Sequence, residues 1–270
     1  MSDLGRRRAL DVELVRRGLA PDRDQARRIV EQGLVTVGGA PAPKATRMVG
    51  AGEAVVVAPP PPRFVSRGGV KLDSALERFD LDPSGLRVVD AGSSTGGFTD
   101  CLLQRGAREV IAIDVGRNQL HERIRADPRV IVNERTNIKE VDLEHLGGPA
   151  DMLVADLSFI SLRTVADALV ALTKPRGHMV LLVKPQFEAS RDEANRGGGV
   201  ITDPTVWRES LYRVCWSMRS AGGAIKGVMV SPITGGEGNV EFLLHVQTHA
   251  GKGSDPSPLC DAAVAEAGGI

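Results

Sequence analysis

One stretch narrows the fold of this chain more than any other: Arg87-Val-Val-Asp-Ala-Gly-Ser-Ser-Thr-Gly-Gly-Phe-Thr-Asp100. A short apolar run ends in an acid, turns through glycine and opens into a helical pattern. That is the nucleotide-binding turn of an open α/β sheet, which holds its ligand outside the carboxyl end of the first strand. Gly92 permits the tight turn, and Gly96 and Gly97 are expected to let backbone approach a ligand that a Cβ would obstruct. The interval from Gly92 to Gly96 departs from the GxGxxG of a pyrophosphate-binding turn, and the acid Asp90 stands beside it. A ligand without phosphates, carrying a cationic amine, fits this better than a dinucleotide does. The next apolar run, Val110-Ile-Ala-Ile-Asp114, ends in a second acid able to accept both hydroxyls of a ribose. Together the two acids point to an adenosine-type cofactor. A glycine turn with only a structural purpose is the plainer alternative.

Residues 63–248 continue the alternation of short apolar runs and helical patterns. Strands are expected at 87–91, 109–114, 129–133, 151–156, 178–184, 226–231 and 240–247, and helices near 70–80, 97–105, 117–126, 161–172 and 204–221. This order predicts an α/β fold, a doubly wound and mostly parallel sheet with helices on both faces. The last two strands follow one another without a helix, as an antiparallel hairpin at the sheet edge would.

Upstream, residues 5–57 read as a small α+β module. A first helix from Asp11 to Arg17 is expected to turn Val12, Leu14 and Val15 inward. A second, N-capped by Asp22 and stopped by Gly33, carries Arg23, Arg27 and Arg28 on its outer face. Strands follow through Leu34–Val37 and 53–57, with Gly38-Gly39 as a turn. The proline run at 59–62 is a stiff spacer. The expected division is therefore 1–58, a linker at 59–66, a large domain at 67–248, and a tail at 249–270 that is helical over Pro258–Ala267 and mobile at its tip.

Charge has to be read by position. Lys plus Arg and Asp plus Glu both number 34, so the net charge is zero, which by itself argues against a nucleic-acid partner. The first fifty residues, however, hold ten basic and six acidic side chains, an excess that points to contact with a polyanion. No apolar run approaches the roughly 18–20 residues that span a bilayer. Arg6-Arg7-Arg8 leads into a charged stretch instead of a signal core. Cys101, Cys215 and Cys260 are too scattered for a zinc site or a disulfide framework and suit a reducing compartment. A cytoplasmic protein without a metal is expected.

Chemistry gathers at the carboxyl ends of the later strands. Asp156 ends the run Met152-Leu-Val-Ala, and Lys184 ends Val180–Val183, where Pro185 forces the chain out of the strand. Glu241 opens the last strand, and Lys71 lies upstream of the first. Amino-group methyltransferases carry an Asn/Asp-Pro-Pro-aromatic turn after the fourth strand. Leu157 and Ser158 replace both prolines here, which argues against that chemistry. Transfer to a ribose 2'-hydroxyl needs the hydroxyl deprotonated. A lysine can take that proton where burial and a second lysine disfavour its charged form, with Asp156 and Glu241 holding the amines. Two ordinary ion pairs at the rim of the sheet are the alternative.

At these residues the chain resembles the TlyA family, first known as hemolysins and now regarded as ribosomal RNA 2'-O-methyltransferases, and its large domain looks like the FtsJ class. The matching stretches are Val65-Ser-Arg-Gly-Gly-Val-Lys-Leu72, Asp90–Asp100, Glu134-Arg-Thr-Asn137, Ala155-Asp-Leu-Ser-Phe-Ile-Ser-Leu162, Leu182-Val-Lys-Pro-Gln-Phe-Glu188 and Gly238-Asn-Val-Glu-Phe242. The resemblance implies a Rossmann-like methyltransferase sheet behind an S-four-type RNA-binding domain, with S-adenosylmethionine as cofactor. It implies that Lys71, Asp156, Lys184 and Glu241 form a catalytic tetrad and places Asp90, Ser93, Gly97, Asp114 and Asn137 at the cofactor. Gly92, Gly96, Phe98 and Asp156 complete the expected cofactor set. Arg6, Arg16, Arg17, Arg23, Arg27 and Arg67 become candidates for RNA phosphates. The expected activity is methylation of a cytidine 2'-hydroxyl in both small- and large-subunit rRNA, within assembled subunits. A non-catalytic ribosome-assembly factor and a membrane-damaging hemolysin are the rival readings.

Overall fold

The computed structural model describes residues 7–190, 192–193, 198–251 and 253–268, and the chain divides into two compact units, Met1–Arg63 and Phe64–Ile270. The expected tip of the tail, 269–270, lies outside the described residues.

The first unit contains β1 (Arg8–Ala9), α1 (Leu10–Arg16), α2 (Arg23–Glu31), β2 (Val35–Val37), β3 (Ala40–Pro41), β4 (Met48–Val49) and β5 (Val55–Val57). β1 pairs with β4, and β3-β2-β5 form a three-stranded sheet. Asp22 caps α2 by accepting from Gln25 N at 2.7 Å, satisfying an amide that a first helical turn leaves free. Gly38 and Gly39 join β2 to β3 with φ of 61° and 80°, the two positive values that a tight hairpin turn demands.

α1 differs from its expected pattern. Leu10 and Leu14 face the core while Val12 is only half-buried, and the helix buries Asp11 and Glu13. Arginines make this possible: Arg16 and Arg17 sit on Glu13, and Arg23 and Arg27 sit on Asp11. A carboxylate held by charge-assisted bonds tolerates burial that it would otherwise resist.

The second unit contains α3 (Gly68–Arg78), β6 (Arg87–Ala91), α4 (Gly97–Gln104), β7 (Glu109–Asp114), α5 (Glu122–Arg125), β8 (Val130–Glu134), β9 (Ala150–Ala155), α6 (Ala166–Ala171), β10 (Thr173–Val183), α7 (Pro185–Glu188), α8 (Pro204–Ser220), β11 (Gly223–Val230), β12 (Phe242–Thr248) and α9 (Ser257–Ala267). Its seven strands run in the order β11-β12-β10-β9-β6-β7-β8. β6 to β10 are mutually parallel, and β12 is antiparallel to both its neighbours. The two last strands do pair, but β12 is inserted inside the sheet and β11 takes the edge.

Alternate side chains of each strand feed two cores. Val88, Met152, Val154 and Val180 pack with Leu72 and Leu76 of α3 and Leu102 of α4. Val89, Leu153, Leu181 and Val183 pack with Leu169 of α6, Leu211 of α8 and Ala263 of α9. Burial on both faces explains why the strands read as near-continuous apolar runs. The helix expected at 117–126 shrinks to α5, because Asn118 has φ 54° and Asp114 Oδ1 accepts from Gly116 N, keeping the chain in a turn. The helix expected at 161–172 is split into a 3-10 turn, Leu162–Val165, and α6.

Candidate active site

The strand order reverses between β6 and β9, and a sheet of this kind opens a crevice at the carboxyl ends on either side of that point. Gly92 stands there with φ 82°, and a Cβ on it would lie 2.5 Å from the Asp156 carbonyl oxygen. Its glycine is demanded by the approach of the chain leaving β9, whose Asp156 N donates to Ala91 O at 2.9 Å. The other two glycines are also demanded by packing. A Cβ on Gly97 would overlap Ser66 Oγ and reach 3.0 Å from Gly69 N, and one on Gly96 would lie 2.9 Å from Leu120.

Asp90 lies fully buried beneath the turn, where Thr99 Oγ1 donates to its Oδ2 at 2.6 Å and its Oδ1 has no partner. Burial pushes its carboxyl up to about 7 against the Thr99 bond, with the charges of Asp156 and Asp114 adding to the rise. Asp114 accepts from Ser94 N and Gly116 N, both at 2.7 Å. Asn137 caps a 3-10 turn by accepting from Lys139 N at 3.1 Å.

Three cavities meet at this edge. The first, about 480 Å³, is lined by Gly92, Ser94, Asp114, Val115, Asn137, Ile138, Asp156, Leu157, Ser158 and Phe159 among others. A second, about 210 Å³, shares Gly92, Ser94 and Asp156 with it and adds Ser66, Arg67, Lys71, Ser93, Gly97 and Phe98. A third, about 350 Å³, is lined by Ser158, Phe159, Lys184, Gln186, Phe187, Gly199, Asn239 and Glu241 among others.

The four ionisable residues form two crossed pairs. Lys71, on α3, reaches Glu241 at 2.5 Å, and both are buried. Lys184, which leaves β10 where Pro185 starts α7, reaches Asp156 Oδ1 at 2.5 Å and donates to Ser158 Oγ at 2.9 Å. Its Nζ also lies 5.8 Å from the centre of the Phe187 ring. Lys71 and Asp156 line the second cavity, whereas Lys184 and Glu241 line the third. Each ion pair therefore joins one cavity to the other.

Sequence reasoning missed two features. Phe159, 92% exposed and held at φ 63°, stands beside Phe187 with ring centres 5.3 Å apart. Only its place after a strand-ending acid hinted at this. Buried Asn239 accepts from Ile201 N and donates to Gly199 O, both at 2.9 Å, clamping one wall of the third cavity to the turn before β12. A lone Asn after glycine carries no such signal.

Of the candidate RNA-binding arginines, Arg6 lies outside the described residues. Arg16, Arg23 and Arg27 are exposed, each with a carboxylate of α1 behind it. Arg17 is more enclosed and donates to Glu13 and to the carbonyls of Gly50, Ala51 and Glu53. Arg67 is exposed on the wall of the second cavity, in the other unit.

Residues 64–248 match the FtsJ-like methyltransferase family, and residues 8–55 match the S4 domain. The 16S/23S rRNA (cytidine-2'-O)-methyltransferase TlyA of Mycobacterium tuberculosis is 44% identical over 96% of this chain and 97% of its own. The 23S rRNA (cytidine-2'-O)-methyltransferase TlyA of Campylobacter jejuni is 32% identical over 67% and 70%. A solved hemolysin-named structure from Streptococcus thermophilus superposes with a TM-score of 0.74 at 36% identity, covering 97% of this chain and 96% of that one. With an FtsJ-like methyltransferase domain behind an S4 domain, and likeness to its relatives along nearly its whole length, the chain belongs to the TlyA family of methyltransferases.

Proposed function

We propose that this enzyme transfers a methyl group from S-adenosylmethionine to the 2'-hydroxyl of a cytidine in ribosomal RNA. The observation that carries this reading is the crossing of the Lys71–Glu241 and Lys184–Asp156 pairs between the cavities. A donor on one side and an acceptor on the other would meet between two buried lysines, each with its carboxylate.

The first cavity suits the donor. Asp114 would take the ribose hydroxyls with its remaining lone pairs, Asn137 the adenine edge, and Ser93 and Asp156 the amino-acid end. The unpartnered Oδ1 of Asp90 supports a cation above the turn. When bound, the donor supplies an electrophilic methyl on a sulfonium. The protein aligns the acceptor oxygen with that methyl, the alignment being the larger part of such catalysis. Lys184 takes the acceptor's proton, Asp156 fixes the Lys184 amine, and Lys71 with Glu241 fixes the opposite wall. Exposed Phe159 offers a face on which a base can stack.

Residues 1–58 would bind RNA through Arg6, Arg16, Arg17, Arg23 and Arg27, and 67–248 would carry catalysis, with Arg67 on a phosphate near the site. We assign both subunits' rRNA because the M. tuberculosis relative, matched over 96% of this chain, is named for both, and we extend the proposal to assembled subunits in the cytoplasm. Among the described residues no helix is long and apolar enough to cross a membrane.

Labelled methyl transfer to unmodified rRNA and subunits, by wild type beside Lys184→Ala, tests this. A 2'-O-methylcytidine that Lys184→Ala does not form is the expected product. Donor binding without transfer to any substrate would turn the reading toward a ribosome-assembly factor.

A further inference from the structure

The turn after β9 holds a residue that the tetrad leaves unused. Ser158 stands where amino-group enzymes place proline, and with Phe159 it lines both the first cavity and the third. Lys184 lines the third alone of these two, and its amine is nearly closed off, with a side chain 10% exposed. On one side that amine is held by Asp156 Oδ1 at 2.5 Å, and on another it meets Ser158 Oγ at 2.9 Å. Ser158 itself is exposed. Among the described residues its hydroxyl serves as an acceptor only, so its own hydrogen is uncommitted. The hydroxyl thus lies between a buried amine and the place where donor and acceptor meet.

We infer that Ser158 relays the acceptor's proton to Lys184, an inference that rests on the 2'-O-methyl transfer proposed above. With one ammonium proton of Lys184 first released to solvent, the acceptor's O–H proton passes to Ser158 Oγ while the serine's proton passes to the freed lone pair of the Lys184 amine, reversing the bond in which the ammonium donates to Ser158 Oγ. The electron pair freed on the acceptor oxygen forms the bond to the methyl carbon. The carbon–sulfur bond breaks with its electrons going to sulfur, leaving a thioether. Positive charge moves from the sulfonium to the lysine ammonium, which Asp156 already faces. A hydroxyl one torsion from its backbone delivers a proton across this gap without moving the lysine.

Single-turnover methyl transfer by the full chain, on subunits lacking the modification, tests the relay with Ser158→Ala, Ser158→Thr and Lys184→Ala. Ser158→Ala should slow the step roughly 100-fold, the scale of one positioned proton transfer. Donor and RNA affinities should stay within about threefold, which marks an effect confined to the transition state. Ser158→Thr keeps the hydroxyl and should recover most of the rate, so a loss through misfolding would be recognised. The wild-type rate should fall along a curve as deuterium replaces solvent hydrogen, because two protons move, and Ser158→Ala should give a straight line. An alanine variant within about threefold of wild type, equal defects in alanine and threonine, or a straight line for wild type would overturn the relay in favour of direct transfer to Lys184. Full activity in Lys184→Ala would leave the methyl transfer standing and sink the role of Lys184 and the relay with it, whereas a product methylated elsewhere than the 2'-oxygen would sink the proposed function itself.

Discussion

Lys71 Nζ and Glu241 Oε2 lie 2.5 Å apart across 170 positions of sequence, both closed off from solvent. Removing one partner leaves the other charge buried and uncompensated, at a cost of about 3–5 kcal/mol. Glu241→Gln should therefore lower the melting temperature as well as activity. The double variant Lys71→Met with Glu241→Leu should regain most of the stability and none of the activity. Thermal melts beside transfer assays check this, and an active double variant would reduce the pair to a structural strut.

Asp90 makes stability depend on pH in an unusual direction for an acid. Its carboxyl titrates near 7 in the fold against 3.8 as its ordinary value, so the folded chain binds a proton more tightly than the unfolded one does. Its contribution is present at low pH and is lost as pH rises through that interval. Asp90→Asn should melt progressively higher than wild type between pH 4 and 7, and by a constant margin above it. Parallel melting curves across the range would contradict the assignment.

Gly92→Ala asks for a Cβ at φ 82° and 2.5 Å from the Asp156 carbonyl. Strain of this kind costs on the order of 1–3 kcal/mol. The end of β9 must shift to relieve it, carrying Asp156 with it. Calorimetry should show donor binding lost while circular dichroism shows the sheet retained. Unchanged donor affinity would mean that the first cavity is not the donor site.

Phe159 contributes little to folding, being 92% exposed at a φ of 63° that a bulky residue adopts only under strain. Phe159→Ala should leave the melting temperature unchanged or slightly higher. Loss of a stacking face costs about 1–3 kcal/mol per base, so RNA turnover should fall by roughly 5- to 150-fold. Donor affinity should not move.

In the first unit, Arg17 and Arg27 separate two kinds of arginine. Arg17 holds three backbone carbonyls as well as Glu13, whereas Arg27 reaches Asp11 from an exposed position. Arg17→Ala should destabilise the unit. Arg27→Ala should weaken RNA binding, reduce the slope of affinity against salt by about one and cost less stability than Arg17→Ala, because Arg23 still holds Asp11 at 2.8 Å. Filter binding over a salt series with paired melts distinguishes them. Glu13 adds a pH dependence: its bonds to Arg16, then Arg17, hold its carboxyl down to about 2 from 4.5, so its stabilisation is complete above 4.5 and vanishes as pH falls toward 2.

β6 and β7 were legible because buried parallel strands are uniformly apolar and each ends in an acid at the crevice. The inward turn of α1 was not, because Asp11 and Glu13 occupy positions that hydrophobic periodicity reserves for apolar residues. Only their arginine partners, some of them on α2, make that burial tolerable. The glycines of the turn were recognised, but Gly96 and Gly97 answer to Leu120 and Ser66, contacts that no local pattern encodes. The four ionisable residues were singled out through resemblance and through the oddity of lysine at a strand end. Their crossed pairing belongs to the tertiary fold.

Because β12 is inserted antiparallel between β10 and β11, the residue that precedes it arrives at the same edge as the residues that follow the parallel strands. Lys71 thus waits for a partner that leaves the ribosome near the end of synthesis. A chain interrupted between Ile160 and Glu241 contains every residue that lines the first cavity and no counter-charge for Lys71. The last strand to be made thus completes both the interior of the sheet and the Lys71–Glu241 pair.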